Sequence, residues 1–403
     1  MLLIGVFTSE QADHVRDAGG EPLVVHLPSA RPPGGVALIR EWVADSAEVL
    51  IGANRPDGLL VDASSPGELI GLLLAALRLD LPTVVDRRDD AYAAALAALG
   101  AAPLKWDAAG TVVGVADNRE PRLSGLVGNF ALANALRTGI SMGGGPELMV
   151  HFSAIAREGD ISGFSQMLRV LTPETPEIAR PDSKWFQEQG TERLLAHLAD
   201  DLHDVPTVTG WLKDSLPSAP PVPEESLALG FVKGRASGAE AICRAPLGTK
   251  EIAGDCRVFS SEEEAAQAAE NGEIEPGELL VMAGYGPRGG PGLLKLEVLA
   301  RALDEMGLSE SVPVLTDGLP PDAPAGAWVS LMTREAAAGG MIGRLRDGDT
   351  LRIDLEEGRI RAGMKPAELR SRDPYEFFGK LHVGYSGRYR RSARHALDGA
   401  GFG

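Results

Sequence analysis

The sequence predicts an α/β protein, with an N-terminal parallel-sheet α/β domain followed by a β-barrel-like C-terminal domain. In the first part of the chain, short apolar runs alternate with stretches of helical periodicity, which is typical of a parallel sheet covered on both faces. In the last part, β-rich segments too short for helices dominate. A proline-stiffened connection lies between the two. We therefore expect domains at 1–215 and 226–403, joined by a linker at 216–225.

The N-terminal part should contain four strands separated by helices. Apolar runs predict strands at 2–7, 22–26, 58–61 and 83–85. Helical periodicity predicts helices at 36–51, 68–79 and 91–99, and a further helical region after Gly125. Because strands and helices alternate, the strands should pair in parallel.

The C-terminal part is richer in strand signals. Short β-like runs predict strands at 227–232, 240–243, 255–259, 279–282, 312–315, 327–332 and 350–355. Ser261 followed by Glu264 forms a capping-box pattern that predicts a helix reaching about residue 271. These elements favour a barrel with peripheral helices.

Composition and charge limit the classes of partner. Hydrophobic residues make up 44% and charged residues 24% of the 403 residues, as in an ordinary soluble globular protein. The formal net charge of −18 disfavours nucleic acid and anionic membrane, because both demand a basic surface. A small-molecule metabolite or another protein is favoured. The start of the chain lacks the pattern of a signal peptide, so we expect a cytoplasmic protein.

Cysteine usage limits redox and metal chemistry. Cys243 and Cys256 are the two cysteines, and each lies in a β-like stretch. Two thiols exclude a disulfide framework and cannot by themselves hold an iron–sulfur cluster. We interpret both as buried structural thiols.

Glycine-rich loops mark two candidate ligand sites. The predicted strand at 279–282 ends in a loop with five glycines between Gly284 and Gly292, and the strand at 312–315 ends near Asp317-Gly318. Such loops can present backbone N–H groups to a ligand, or they can be plain turns. Three further glycines at 143–145 lead into a helix, where they either hold an anion or make a tight turn.

The sequence resembles the dihydroxy-acid dehydratase and phosphogluconate dehydratase family. Residues 276–292 are similar to the family pattern P-G-D-V-V-V-I-R-Y-E-G-P-x-G-G-P-G, and residues 339–354 to G-G-P-I-A-x-V-x-D-G-D-x-I-x-I-D. The order and spacing agree with the family. Further similar segments lie at 41–50, 57–61, 73–82 and 140–157. The resemblance implies the family fold and a homodimer.

The resemblance also implies a chemistry, which can be checked position by position. Family members dehydrate 2,3-dihydroxy acids to 2-keto acids with an iron–sulfur cluster, a divalent metal and a serine base. In this sequence the cluster cysteine aligns with Ser65, and the neighbouring metal ligands with Pro66 and Gly67. A metal-binding glutamate aligns with Lys295 and the serine base with Pro321. The two other cysteine-bearing motifs have no cysteine here. We therefore expect no cofactor.

Two function classes remain open from the sequence. One is a lyase-type enzyme that works without a cluster on a small carboxylate-containing metabolite in a specialised biosynthetic pathway. The other is a catalytically silent homologue that binds a ligand or a partner subunit. The leading catalytic candidates are Lys295 and Asp317, which form either an acid/base pair or a simple salt bridge. Weaker catalytic candidates are Ser65, Glu68 and His151. Substrate-binding candidates are Gly143, Gly144, Gly145, Gly289, Gly290 and Gly318.

Overall fold

The predicted fold class is confirmed by a computed structural model, which describes residues 2–105, 107–219, 221, 227–234, 238–322, 324–374 and 383–403. The N-terminal part contains a four-stranded sheet, and the C-terminal part contains a closed eight-stranded barrel. Half of the predicted linker, at 220 and 222–225, lies outside the described residues. The domain boundary therefore stays a prediction.

The N-terminal sheet is parallel throughout. Its strands are β1 (Leu3–Val6), β2 (Glu21–Val24), β3 (Gly58–Val61) and β4 (Thr83–Val85). They lie in the order β2-β1-β3-β4. Strands β3 and β4 are buried along their whole length. All four predicted strands are confirmed. Because parallel strands end at a common edge, the loops after β3 and β4 lie side by side.

Helices cover this sheet and then build a helical layer. They are α1 (Ser9–Asp17), α2 (Val36–Asn54), α3 (Pro66–Leu79), α4 (Ala91–Leu99), α5 (Ala108–Asn118), α6 (Leu123–Leu126), α7 (Asn129–Ser141), α8 (Pro146–Glu158), α9 (Phe164–Glu174) and α10 (Lys184–His197). Helix α3 begins two residues before the predicted start, because Pro66 fits the first helical turn and the Ser65 side chain caps it. Among the described helices, none combines the length and apolar character that crossing a bilayer demands.

A short hairpin separates the helical layer from the barrel. It is formed by β5 (Pro206–Thr207) and β6 (Gly210–Trp211). The barrel strands are β7 (Leu227–Lys233), β8 (Glu240–Pro246), β9 (Glu251–Phe259), β10 (Glu278–Met282), β11 (Val314–Thr316), β12 (Trp328–Thr333), β13 (Thr350–Asp354) and β14 (Arg359–Ala362). They close in the order β10-β11-β12-β8-β7-β14-β13-β9. Strand β14 was not predicted, since it is short and its outward residues are arginines.

Four helices lie around the barrel and at the end of the chain. They are α11 (Glu262–Glu270), α12 (Glu297–Glu305), α13 (Pro366–Ser371) and α14 (Gly384–Ser392). The last helix returns to α2, where the Tyr385 hydroxyl donates a hydrogen bond of 2.9 Å to Asp45. Tyr389 is fully buried and donates to the carbonyl of Ala400. The C-terminal residues are thereby fixed against the N-terminal half.

Candidate functional site

A cleft of about 420 Å³ lies between the N-terminal half and the barrel. One side is formed by the first residue of α3, by the loop from β4 to α4, and by the glycine turn before α8. The other side is formed by Arg244 of β8 and by residues 320–322, which follow β11. The cleft thus opens at the carboxyl edge of the parallel sheet, where α/β proteins usually bind ligands.

Lys295 is held between two carboxylates that line this cleft. Its Nζ atom lies 2.7 Å from Oε2 of Glu147 and 2.6 Å from Oδ1 of Asp322. Burial opposes the charge of Lys295, but the two carboxylates outweigh this effect and raise its pKa. The ammonium therefore stays charged. The predicted pairing of Lys295 with Asp317 is wrong.

A buried histidine lies behind Glu147. The Nε2 atom of His151 is 3.3 Å from Oε1 of Glu147, and Nη1 of Arg40 is 3.3 Å from Nδ1 of the same ring. A guanidinium group can only donate, so Nδ1 must accept and the ring proton must lie on Nε2. Burial lowers the pKa of His151, which agrees with a neutral ring. His151 therefore donates to Glu147.

The ionisation of Glu147 follows from these partners. Burial alone would raise its pKa, but the hydrogen bond from His151 and the charge of Lys295 hold the pKa at about 2. Arg40 is fully buried, pairs with Glu41 at 2.8 Å and also donates to the carbonyl of Gly399. Arg40, His151, Glu147, Lys295 and Asp322 thus form one hydrogen-bonded chain, which we call the Arg40–Asp322 network. It runs from the protein core to the cleft.

Tyr92 lines the same cleft from helix α4. The residue is only 8% exposed, and within the described ranges its hydroxyl has no hydrogen-bond partner. Burial and the negative charges of Glu147 and Asp322 raise its pKa well above 10. The phenol is therefore protonated at neutral pH and is free to donate to a ligand.

Two arginines and one glutamate form another part of the cleft wall. Glu177 accepts from Nε of Arg180 at 2.7 Å through one oxygen, and from Nη2 of Arg244 at 2.8 Å through the other. Arg244 also donates to the carbonyl of Gly143 at 3.4 Å. We call Arg180, Glu177 and Arg244 the arginine wall. One carboxylate shared by two guanidinium groups leaves a net positive charge there.

Asp317 holds a backbone loop instead of lining the cleft. It is fully buried, and its carboxylate accepts hydrogen bonds from the backbone N–H groups of Gly284, Tyr285 and Ala336 at 2.8–3.2 Å. Burial raises its pKa, an effect that these hydrogen bonds oppose. The predicted catalytic role of Asp317 finds no support in this geometry.

Glu335 holds the same loop from the other side. Its Oε2 atom accepts from the N–H groups of Arg288 at 2.9 Å and Gly289 at 3.2 Å. Gly289 and Gly290 line a second depression, of about 440 Å³, beside Lys295. At Gly318 a side chain would lie only 2.6 Å from Cβ of Tyr285, so close packing requires glycine there. These three glycine candidates therefore lie outside the cleft described above, whereas those at 143–145 line it.

Two weaker candidates have structural partners. The Ser65 hydroxyl accepts from the N–H of Glu68 and caps α3. The Glu68 carboxylate pairs with Arg31 at 2.6 Å and accepts from Ser64 at 2.7 Å. The structure does not bring either residue to Lys295.

Several cleft residues were missed in the sequence, although each carries a signal. Tyr92 is the only polar aromatic residue in the alanine- and leucine-rich α4. Arg244 is a lone charge in an otherwise apolar stretch of β8. A single polar group among buried apolar residues requires a partner, and that requirement is the physical signal.

The side chains of this chain do not fit the cofactors of the resembling family. Cys243 and Cys256 lie in β8 and β9 and do not line the cleft, and burial raises the pKa of each thiol to about 12. Iron–sulfur clusters require thiolates. Within the described residues, no group of three or more His, Cys, Asp or Glu side chains is arranged to hold a metal ion.

Comparison with known proteins agrees with this architecture. Residues 229–400 match the family described as dihydroxy-acid/6-phosphogluconate dehydratase C-terminal. The dihydroxy-acid dehydratase of Syntrophotalea carbinolica is 30% identical over 299 residues, covering 67% of this chain and 53% of the relative. Those of Citrifermentans bemidjiense and Geotalea daltonii are 29% and 28% identical over 300 and 311 residues, covering 67% and 71% of this chain and 53% and 56% of each relative.

The barrel and the parallel sheet thus define a class of two-part proteins, in which an α/β part is followed by a barrel. The chain is a member of the dihydroxy-acid/6-phosphogluconate dehydratase family. It spans about half the length of the curated relatives that it matches.

Proposed function

We propose that this chain is a lyase-type enzyme that works without an iron–sulfur cluster on a small, polar, carboxylate-containing metabolite. One observation carries the proposal: the cleft is lined both by a protonated tyrosine, Tyr92, whose hydroxyl has no partner among the described residues, and by two carboxylates, Glu147 and Asp322, that bind the charged Lys295. Lys295 supplies positive charge where family members place a metal ligand. Tyr92 supplies a proton donor. A specialised biosynthetic role, a cytoplasmic location and a homodimeric state complete the proposal.

The chemistry is elimination of water from a 2,3-dihydroxy acid. The Asp322 carboxylate takes a proton from the carbon beside the acid group, and the carbon–oxygen bond of the neighbouring hydroxyl breaks. Tyr92 gives its proton to the departing hydroxide, so that water leaves and an enol remains, which becomes the keto acid. Solvent returns the proton from Asp322 to Tyr92. The charge of Lys295 stabilises the negative charge that develops in the transition state.

Cluster independence is supported by the side chains that the chain offers. Both cysteines are buried as thiols in the barrel core, and Lys295 brings a cation to the position of an expected metal ligand. A cation repels a second cation, so the network and a divalent metal do not fit one site. We derive no step through a cluster or a metal.

The silent-homologue alternative also has one observation in its favour. Lys295 already has two carboxylate partners, so its charge is compensated in the absence of a ligand. A compensated ion pair can serve structure alone. The choice between the alternatives therefore depends on whether the lysine charge contributes to turnover.

The variant Lys295→Met tests this choice, because methionine keeps most of the side-chain volume and removes the charge. After iron has been quantified in anaerobically prepared protein, keto-acid formation is measured with a panel of 2,3-dihydroxy acids. We expect activity without stoichiometric iron, and a loss of at least about tenfold in kcat/KM, roughly 1.4 kcal/mol, in the variant.

Lys250→Met is the matched control, since Lys250 pairs with Glu356 at the surface, away from the cleft. It should leave turnover unchanged. If no acid of the panel reacts, and Lys295→Met lowers the melting temperature without changing ligand affinity, the silent-homologue alternative is correct. Activity that requires stoichiometric iron would refute cluster independence.

A further inference from the structure

The arginine wall has hydrogen-bonding capacity that the protein does not use. The Arg244 side chain is 2% exposed, and within the described residues its Nε atom has no hydrogen-bond partner. A buried, unpartnered donor costs roughly 1–3 kcal/mol, and such donors are rare unless a ligand or water meets them. Arg244 lines the cleft. Its unused donor therefore indicates a missing acceptor.

The start of helix α8 adds further donors at the same place. The helix has 13 residues, and its first position is a proline preceded by Gly145, which provides no side-chain cap. The N–H groups of a first helical turn lack partners within the helix and favour anions. A Cβ atom built on Gly145 would lie 3.6 Å from Nη1 of Arg244. The helix terminus and the buried guanidinium thus adjoin one space.

We propose that this corner, formed by the arginine wall and the start of α8, is an anion subsite that binds the acid group of the substrate. The inference rests on the proposed function and deepens it, because it places the acid group away from Lys295. Lys295 already binds two carboxylates, whereas the arginine wall has one carboxylate for two guanidinium groups. The acid group of the substrate therefore forms stronger charged hydrogen bonds at the arginine wall than it would at Lys295.

The other charges of the cleft restrict the substrate class. The carboxylates of Asp90, Asp182 and Asp322 also line it. Asp90 is matched by Arg87 at 2.6 Å and Asp322 by Lys295, which leaves Asp182 without a counter-ion among the described residues. A second acid group on the substrate would meet these carboxylates. The subsite therefore selects a substrate with one oxyanion group and an uncharged remainder, and under the proposed function that group is the carboxylate.

The test uses glycolate and inorganic phosphate as probes in calorimetric titrations of the full chain. Gly145→Ala is the main variant, since its φ of −100° suits alanine and the new methyl group fills the space beside Arg244. We expect binding of at least one probe to weaken by tenfold or more. Gly114→Ala, at an exposed position of α5 with no atom within 4 Å of the new methyl group, should bind as the wild type does.

Arg180→Gln provides a second variant that does not require burial of a new group, because the Arg180 side chain is 36% exposed. It should weaken the same probe at least threefold with an unchanged melting temperature. Binding of glycolate assigns a carboxylate, whereas binding of phosphate alone keeps an anion subsite but contradicts the carboxylate substrate of the proposed function. If neither probe binds the wild type, or if Gly145→Ala and Gly114→Ala bind equally well, the subsite is refuted. Probe binding that is intact in a wild type without turnover refutes the proposed function and keeps the subsite.

Discussion

Glu147 and Asp317 are both buried carboxylates, yet their partners differ in kind. Among the described residues, Asp317 accepts only from backbone N–H groups, and these fix the path of a glycine-rich loop. Glu147 is bound by the side chains of His151 and Lys295 and lines a cleft. Backbone donors cannot titrate or move away, whereas side-chain donors can. A buried carboxylate with backbone donors is therefore structural, whereas one with side-chain donors that faces a cleft can be functional.

Glu335 resembles Asp317 because its partners are backbone N–H groups, but only one of its two carboxylate oxygens accepts hydrogen bonds from the described residues. Its Oε2 atom holds the loop, and within the described residues Oε1 accepts no hydrogen bond. Burial and the nearby charge of Asp317 raise its pKa to about 7. The loop is therefore held by one carboxylate with three backbone donors and by a second that titrates near neutral pH.

The largest expected effect is that of Asp317→Asn on stability. An amide of the same shape keeps one acceptor and turns its own NH₂ group towards an N–H donor. A buried group left without its partner costs several kcal/mol, and we expect a loss of about 4 kcal/mol in the free energy of unfolding. Urea denaturation measures this. Asp322→Asn is the control, because the Asp322 side chain is 80% exposed and should cost about 0.5 kcal/mol or less.

A loss below about 1 kcal/mol in Asp317→Asn would contradict a structural role. In that case backbone hydrogen-bond partners would not identify a structural carboxylate, since Asp317 has three of them. Asp317 would then return as a candidate for catalysis.

Glu147 should contribute stability that depends on acid pH. Its pKa falls from 4.5 to about 2 on folding, so the stabilisation is present above pH 4.5 and is lost as the pH falls towards 2. The full difference is about 3 kcal/mol. Glu147→Gln cannot titrate, so its unfolding free energy should change less between pH 5 and pH 3 than that of the wild type. Parallel pH profiles for the two proteins would contradict the assignment.

The contribution of Glu335 to stability should depend on pH in the opposite direction to that of Glu147. Because folding raises its pKa from 4.5 to about 7, the folded state binds more protons, and stability falls as the pH rises from 4.5 to 7. We expect a fall of about 3 kcal/mol. Glu335→Gln can keep both hydrogen bonds through one carbonyl oxygen, and its profile over this range should be flatter. Urea denaturation at pH 5 and pH 7.5 checks this, and equal slopes would show that Glu335 does not titrate there.

Much of the fold could be predicted from the sequence, because periodicity reports burial directly. All four strands of the parallel sheet were predicted, since each is an apolar run of four residues or so between turn signals. Helix α4 was predicted from its periodicity at the observed ends, Ala91 and Leu99, and the structure shows Asp90 and Gly100 as its caps. Strand β14 was missed because two of its four residues are arginines.

The candidate site was predicted less well, because charge pairing depends on distances that sequence order does not give. Lys295 was identified, but its partner Glu147 lies 148 positions earlier in the chain. Asp317 follows a strand, as catalytic residues often do, yet the backbone of the glycine-rich loop fills its hydrogen-bonding capacity. Lys295 and Asp317 both lie in segments that resemble the family patterns, but the structure gives them different partners.

The smallest expected effect on stability belongs to Tyr92→Phe, and its sign separates function from structure. The hydroxyl is buried without a described partner, so the folded protein loses its hydration and gains no hydrogen bond. Phenylalanine removes that cost and keeps the ring, including its edge-on contact with His151 at 6.0 Å. We expect the variant to be more stable by about 1 kcal/mol, and to lose keto-acid formation by at least about a hundredfold if Tyr92 donates the proton to the leaving group. Thermal unfolding and turnover measured on the same preparations give both values. A variant that is less stable and equally active would make Tyr92 an ordinary core residue, and the cleft would lose its proton donor.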